Sequence, residues 1–165
     1  MVHEVEKKQE ETLKVSGVYV WPYVEYIRIA RLDDGAFLPD RNHLGDAGLD
    51  FYALRNTVIN SQHVKVIKTG VTIELPPHYF GLLKPKGGSN FDVFAGVVDP
   101  NYQGEILVKV YNPKGQSLAI KAGDPIAQMV LIPIIRPDLK LVDKDEIHKA
   151  ETDRGETGGI VKDVE

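Results

Sequence analysis

The stretch KPKGGSN, Lys84 to Asn90, packs two lysines, two glycines and a hydroxyl into one short loop. Such a loop can cradle a phosphate: Lys86 supplies positive charge, and Gly87 and Gly88 offer backbone N–H groups to an anion. It is not a Walker A loop. That motif carries Lys-Ser or Lys-Thr after its glycines, whereas here Lys86 precedes them and an aromatic residue follows. Ser89 does not sit in a nucleophile elbow either, because GGSN lacks the second flanking glycine pattern.

Four other stretches place polar residues where chemistry could occur. In GDAGLDFYA, Asp46 and Asp50 flank a turn whose small residues let the backbone approach something closely; alone it reads as turn chemistry. In GVVDPNYQGEI, Asp99 ends an apolar run, a Pro-Asn turn follows, and Tyr102 comes three residues on; alone it reads as a hairpin with a polar tip. In AGDPIAQMVLIP, Gln128 is the one polar side chain of an otherwise apolar strand, and a buried amide must be satisfied by a structural partner or a ligand. In DRGETGG, a basic residue and glycines lie in a polar tail that by itself reads as a flexible end. The histidines, at positions 3, 43, 63, 78 and 148, have neither i,i+4 nor clustered spacing, which argues against a zinc site. The absence of cysteine removes disulfides, thiolate metal sites and thiol nucleophiles together.

These residues must be held by strands. The apolar pattern has a short period, rich in Val, Ile, Tyr and Phe and punctuated by Gly, Pro, Asn and Asp. It predicts strands over 24–32, 50–54, 57–60, 63–75 (two strands), 79–85, 94–99, 105–112, 116–120 and 125–134, with almost no helix. Many short strands with turn signals such as DDG, PKG and KAGD predict an all-β sandwich or barrel of the jelly-roll kind. Residues 1–23 form an extension whose first eleven residues are expected to be disordered, 24–135 the β domain, and 136–165 an arm with little core of its own.

Composition bounds the function. A chain of 165 residues, 42% hydrophobic, can build one sizeable core. Net charge is −4, with Lys and Arg interspersed among acids, so the footprint of a nucleic-acid polymer binder is missing. No run of eighteen apolar residues exists and the first residues are charged, from which no membrane span, no secretory signal and a cytoplasmic location are expected.

Taken together, in this order and spacing, these stretches resemble the trimeric dUTP pyrophosphatase (dUTPase) family over roughly residues 24–160. The family has five motifs. DAGLDFYA resembles the first, GVVDPNYQGEI the third, GDPIAQMVLIP the fourth, and VIKTGVTIELPPHYFGLL the connecting region. The resemblance implies a jelly-roll-like β-barrel, a homotrimer with active sites built from several chains, and a C-terminal arm reaching a neighbour.

It also implies a reaction: hydrolysis of dUTP to dUMP and pyrophosphate, with water attacking the α-phosphorus in line and Mg²⁺ bridging the triphosphate. Carried onto this sequence, Asp99 orients and deprotonates the water and contacts the deoxyribose. Tyr102 packs beneath the sugar and leaves no room for a 2′-hydroxyl. The backbone of the strand before Asp99, including Ala95, Gly96 and Val98, reads the uracil edge. Asp50 holds waters of the magnesium shell, with no direct protein ligand to the metal. Gln128 donates to the phosphates, and Arg154 pairs with the terminal phosphate, as a guanidinium suits.

Two departures define what is particular to this chain. The second motif of the family reads Pro-Arg-Ser-Ser or Pro-Arg-Ser-Gly. Here Pro85-Lys86 keeps a cation but Gly87 replaces the serine, Ser89 lies two positions later, and the segment to Asp99 is about four residues shorter than the family pattern. The fifth motif keeps Arg154, Gly155 and Gly158 but has Gly159 where a phenylalanine would cap the uracil. A sister branch that deaminates dCTP carries a glutamate where this chain has Lys109, which favours the pyrophosphatase. The alternatives are a related nucleotide pyrophosphatase or deaminase-type enzyme with another base preference, and a non-catalytic trimer serving as a structural or binding module. In the last case Tyr19, Trp21 and Tyr23 could form a partner-binding strand; the reading favoured for them is a strand packed on its own subunit.

Overall fold

The computed structural model describes residues 26–147. Eleven strands appear in chain order: β1 (Arg28–Arg31), β2 (Gly48–Tyr52), β3 (Thr57–Ile59), β4 (Val64–Lys68), β5 (Val71–Glu74), β6 (Tyr79–Lys84), β7 (Asp92–Val93), β8 (Gly96–Val98), β9 (Leu107–Tyr111), β10 (Leu118–Ile120) and β11 (Pro125–Pro133). The only helical element among the described residues is a single 3₁₀ turn, Lys144–Glu146. The all-β expectation therefore holds. No helix among the described residues is long and apolar enough to cross a membrane.

The strands pair into four sheets, β2-β11-β6-β8, β4-β9-β7, β1-β5 and β3-β10, all antiparallel. None closes on itself, so the hydrogen-bonded ladder is a set of open sheets around one core. Strand boundaries fall within a few residues of expectation; the strand not expected is β7, just before 94–99. There the chain leaves one sheet and enters another: Val93 still pairs with β9, Phe94 N–H donates to Lys109 O at 3.0 Å, and Gly96 begins pairing with β6. Periodicity cannot see such a switch, because alternation continues through it.

Alternation along the strands decides what points inward. Leu49 and Phe51 of β2, Ala127 and Met129 of β11 and Leu83 of β6 face the core. Phe51, Ile126, Ala127 and Met129 are wholly buried, each apolar side chain larger than alanine contributing roughly 1.5–3 kcal/mol of transfer free energy. Successive side chains point to opposite faces, so Asp50, Gln128 and Lys84 share the other face of the same three strands. The KAGD turn before β11 is built on Gly123, whose φ of +84° suits glycine. Its N–H donates to Ala53 O at 2.8 Å, tying the turn to the end of β2.

The chain divides into two compact units, Met1–Ile135 and Arg136–Glu165. In the second, the 3₁₀ turn follows an N–H from Glu146 to Asp143 O at 2.9 Å. Tyr19, Trp21, Tyr23, Arg154, Gly155, Gly158 and Gly159 lie outside the described residues.

Candidate functional site

A row of polar residues crosses the end of the central sheet. Gln128 on β11 stands opposite Asp50 on one side and opposite Lys84 on the other. Directly opposed residues in antiparallel strands share a face, so register alone brings the three together. Immediately after Lys84 the chain turns back over this face. Pro85 O accepts a hydrogen bond from Gln128 Nε2 at 3.0 Å, and Lys86 Nζ donates to Asp50 Oδ2.

Asp50 is buried, with its side chain only 9% accessible and that of Lys86 23%. A carboxylate so placed must be paired, and two donors meet its Oδ2: Lys86 and Asn42, whose Nδ2 lies 3.2 Å away. Oδ1 accepts no hydrogen bond among the described residues, and no buried polar atom there is left unsatisfied, so Oδ1 keeps contact with solvent. Behind Asp50 the loop is braced. Asp50 N–H donates to Asp40 O at 2.8 Å, and the Tyr52 hydroxyl donates to Asp40 Oδ1. Burial first, then this hydrogen bond and the charges of Asp40 and Asp50, pushes the Tyr52 hydroxyl well above its usual titration range.

Glycines give this row room. A Cβ on Gly48 would come within 2.6 Å of Gln128 Oε1, so the amide can lie across β2 only because position 48 has no side chain. In the loop the reverse holds. Cβ atoms on Gly87 or Gly88 would meet nothing within 4 Å, and neither residue has positive φ. Packing and backbone conformation thus leave these two glycines unexplained, and the turn around them is open. Ser89 N–H closes that turn on Lys86 O at 3.0 Å. An open cavity of about 400 Å³ flanks the loop, lined in part by Lys86, Ser89, Asn90, Phe91 and Asp124.

Asp99 and Tyr102 are elsewhere. Val98 of β8 pairs with Gly81 and Gly96 with Leu83, so Asp99 follows at the Phe80 end of β6, whereas the loop leaves from Lys84. Those ends are four residues, or about 13 Å of strand, apart. Tyr102 N–H donates to Asp99 O at 3.0 Å, and its hydroxyl to Glu105 O at 2.8 Å. This ring folds back because Gly104 permits it: a Cβ there would stand 2.5 Å from the Tyr102 hydroxyl. The turn lines a second open cavity of about 510 Å³, with Arg28, Glu74 and Asn101 among its walls, and no residue lines both cavities.

Ala95, Gly96 and Val98 lie at or in β8, the edge strand of the central sheet, which among the described residues pairs only with β6. One edge of its backbone is therefore open to a ligand. Lys109 Nζ lies 5.8 Å from the centre of the ring of Phe94, the residue before Ala95.

The sequence placed Asp50, Gln128 and Lys86 on separate motifs, and the structure gathers them. It sets Asp99 and Tyr102 apart from them within one chain. The residue missed from the sequence is Asn42. In a polar stretch such as DRNHLGD an asparagine reads as a turn former, and nothing local distinguishes one that reaches the carboxylate eight residues on.

The chain is similar to known proteins over most of its length. A family model described as dUTPase matches residues 34–159. The deoxyuridine 5'-triphosphate nucleotidohydrolase of Picosynechococcus is 34% identical over 141 residues, covering 82% of this chain and 96% of that protein. The one from Caldanaerobacter subterraneus is 37% identical over 140 residues, covering 78% and 93%. Among solved structures, a Staphylococcus bacteriophage 80alpha dUTPase mutant with dUpNHpp superposes with a TM-score of 0.73 at 27% identity, covering 81% of this chain and 95% of that one. A dUTPase mutant from phage phi11 of S. aureus, described as revealing the coordination of a structural Mg(II) ion, gives 0.69 at 27% identity, covering 72% and 97%.

Proposed function

Because this chain belongs to the dUTPase family and is an enzyme of dUTP hydrolysis, we propose that it releases dUMP and pyrophosphate by in-line attack of water on the α-phosphorus. The observation that carries this mechanism is the convergence of Lys86, Gln128 and Asp50 at one end of the central sheet. A triphosphate needs positioning and charge neutralisation rather than a covalent nucleophile. Lys86 supplies charge, Gln128 retains a second N–H to donate, and Gly87 and Gly88 leave an open turn for phosphate oxygens.

Asp50 suits Mg²⁺. Its solvent-facing Oδ1 is a hard oxygen donor, and among the described residues no three acids or histidines gather into a cage. Mg²⁺ is usually held by one or two carboxylates together with substrate phosphates and its own waters. Asp50 would hold it through water, and when bound it would neutralise the triphosphate and polarise the scissile phosphorus.

Asp99 takes the proton of the attacking water and contacts the sugar, while Tyr102 packs beneath the deoxyribose. The open edge of β8 reads the uracil through backbone groups at Ala95, Gly96 and Val98. Since Asp99 and Asp50 sit at opposite ends of β6 in one chain, a complete site combines the Asp99 turn of one chain with the Asp50 row of another. A homotrimer supplies that geometry, its sheets folded as the family's jelly-roll-like barrel, with Arg154 of the arm on the terminal phosphate. The outer face of β4-β9-β7 supports assembly: Val64, Val66 and Leu107 are 49%, 51% and 44% exposed, with Phe94 beside them at 52% and Lys68 and Lys109 interleaved on the same face. Exposed apolar side chains rimmed by polar ones favour a protein contact.

The test is pyrophosphate release with Mg²⁺ from dUTP, dCTP, dTTP and UTP. We expect turnover of dUTP alone, and a loss of about 10²–10⁴-fold in Asp99→Asn. A folded protein that turns over none of the four would overturn the reading.

A further inference from the structure

Two donors share one oxygen of Asp50, and they differ in what else attracts them. Lys86 lies in the open turn that faces the substrate phosphates, so an incoming triphosphate competes with Asp50 for its charge. Asn42 has no such alternative. It sits in the loop 40–47, which is pinned at several points: Asp50 N–H to Asp40 O at 2.8 Å, Arg41 Nε to Asp46 O at 3.0 Å, His43 N–H to Asp46 Oδ2 at 3.0 Å and Asp46 N–H to His43 O at 3.0 Å. The Asn42 amide must present its nitrogen, since its oxygen would repel the carboxylate.

We infer that Asn42 is a positioning residue for Asp50: it keeps hold of Oδ2 when Lys86 is drawn to the phosphates, and so keeps Oδ1 turned outward. This rests on the proposed role of Asp50 toward Mg²⁺. A carboxylate released by both donors would rotate freely, and its solvent-facing oxygen would lose its fixed direction. Hydrogen-bond partners behind a ligand act in this way, and their loss typically costs 10–100-fold in metal affinity.

The experiment measures binding of a non-hydrolysable dUTP analogue by calorimetry, with and without Mg²⁺, for wild type, Asn42→Ala and Asn42→Asp. Asn42 is exposed, so neither change opens a cavity in the core. We expect the Mg²⁺-dependent gain in affinity to fall about tenfold or more in Asn42→Ala, while affinity without Mg²⁺ stays within about twofold. Asn42→Asp has the same shape but offers no donor to a carboxylate, so it should lose at least as much; a purely steric role of the loop would leave it unaffected. A wild-type gain that persists undiminished in both variants overturns the inference. Absence of any Mg²⁺-dependent gain in wild type would instead count against the reading of Asp50 on which it rests.

Discussion

Lys86 and Asp50 are 36 positions apart in the chain, yet the lysine ammonium donates directly to the carboxylate at the end of the central sheet. The pair joins the loop proposed to face phosphate to the acid proposed to face Mg²⁺. It is a low-solvent pair, so removing one partner leaves the other charged in a poor dielectric.

Lys86→Met should therefore cost stability as well as activity. Breaking such a pair is worth up to about 3–5 kcal/mol in a fully buried site, and the partial exposure of Lys86 and the remaining bond from Asn42 reduce this to about 1–3 kcal/mol. Lys86→Arg keeps the charge and should stay within about 1 kcal/mol of wild type. Urea denaturation of both variants, read beside kcat/KM, separates the two effects; equal stability of Lys86→Met and wild type would contradict the pairing.

Complementation tests the division of the site between chains. Asp50→Asn and Asp99→Asn proteins, each inactive alone, should regain activity when unfolded together and refolded as a mixture. Random assortment of the two chains gives about a quarter of the sites both acids intact. Activity that stays at the level of the separate variants would mean that each site is built within one chain.

Gly87→Ser asks whether the serine absent from the loop can be restored. A Cβ there meets nothing, and φ is not positive, so thermal stability should change by less than about 0.5 kcal/mol. One added hydrogen bond to a charged phosphate is worth about 1.5 kcal/mol, which predicts a rise of roughly tenfold in kcat/KM for dUTP. An unchanged kcat/KM would show that the hydroxyl points away from the substrate.

Gly104→Ala tests the proposed role of Tyr102 in sugar selection. The added methyl would overlap the Tyr102 hydroxyl and ring carbon, at 2.5 and 2.7 Å, so the ring must move off Glu105 O. The ratio of kcat/KM for dUTP over UTP should fall by about tenfold or more. A ratio equal to that of wild type would remove Tyr102 from the discrimination.

Tyr52 gives a pH signature. Its folded-state value is raised above the unfolded value of about 10, so the stability it contributes is fully present below about pH 10 and is lost as pH rises toward the folded value. The stability gap between wild type and Tyr52→Phe should be constant to about pH 9.5 and shrink above pH 10 in denaturant melts. A gap that stays flat to about pH 11 would contradict the raised value.

Much of this protein is legible from its residues because the relevant signals are local. Alternation of apolar side chains marks the strands, and turn residues such as those of KAGD mark their ends. The stretches around Asp50, Asp99 and Gln128 are specific enough to identify the family and hence the reaction. What the residues could not give is which of these stretches meet. That depends on pairing register between strands far apart in sequence: Gln128 faces Asp50 and Lys84 because β11 lies between β2 and β6, and Asp99 falls at the far end because β8 runs antiparallel to β6. Asn42 was hidden for the same reason, its one distinguishing bond being made by a loop folded back on β2. The sequence by itself determined the elements and the chemistry they carry. The tertiary structure alone decided that Lys86 is held by Asp50, and that Asp99 stands apart from both, because distances across a sheet are set by partners that no local pattern names.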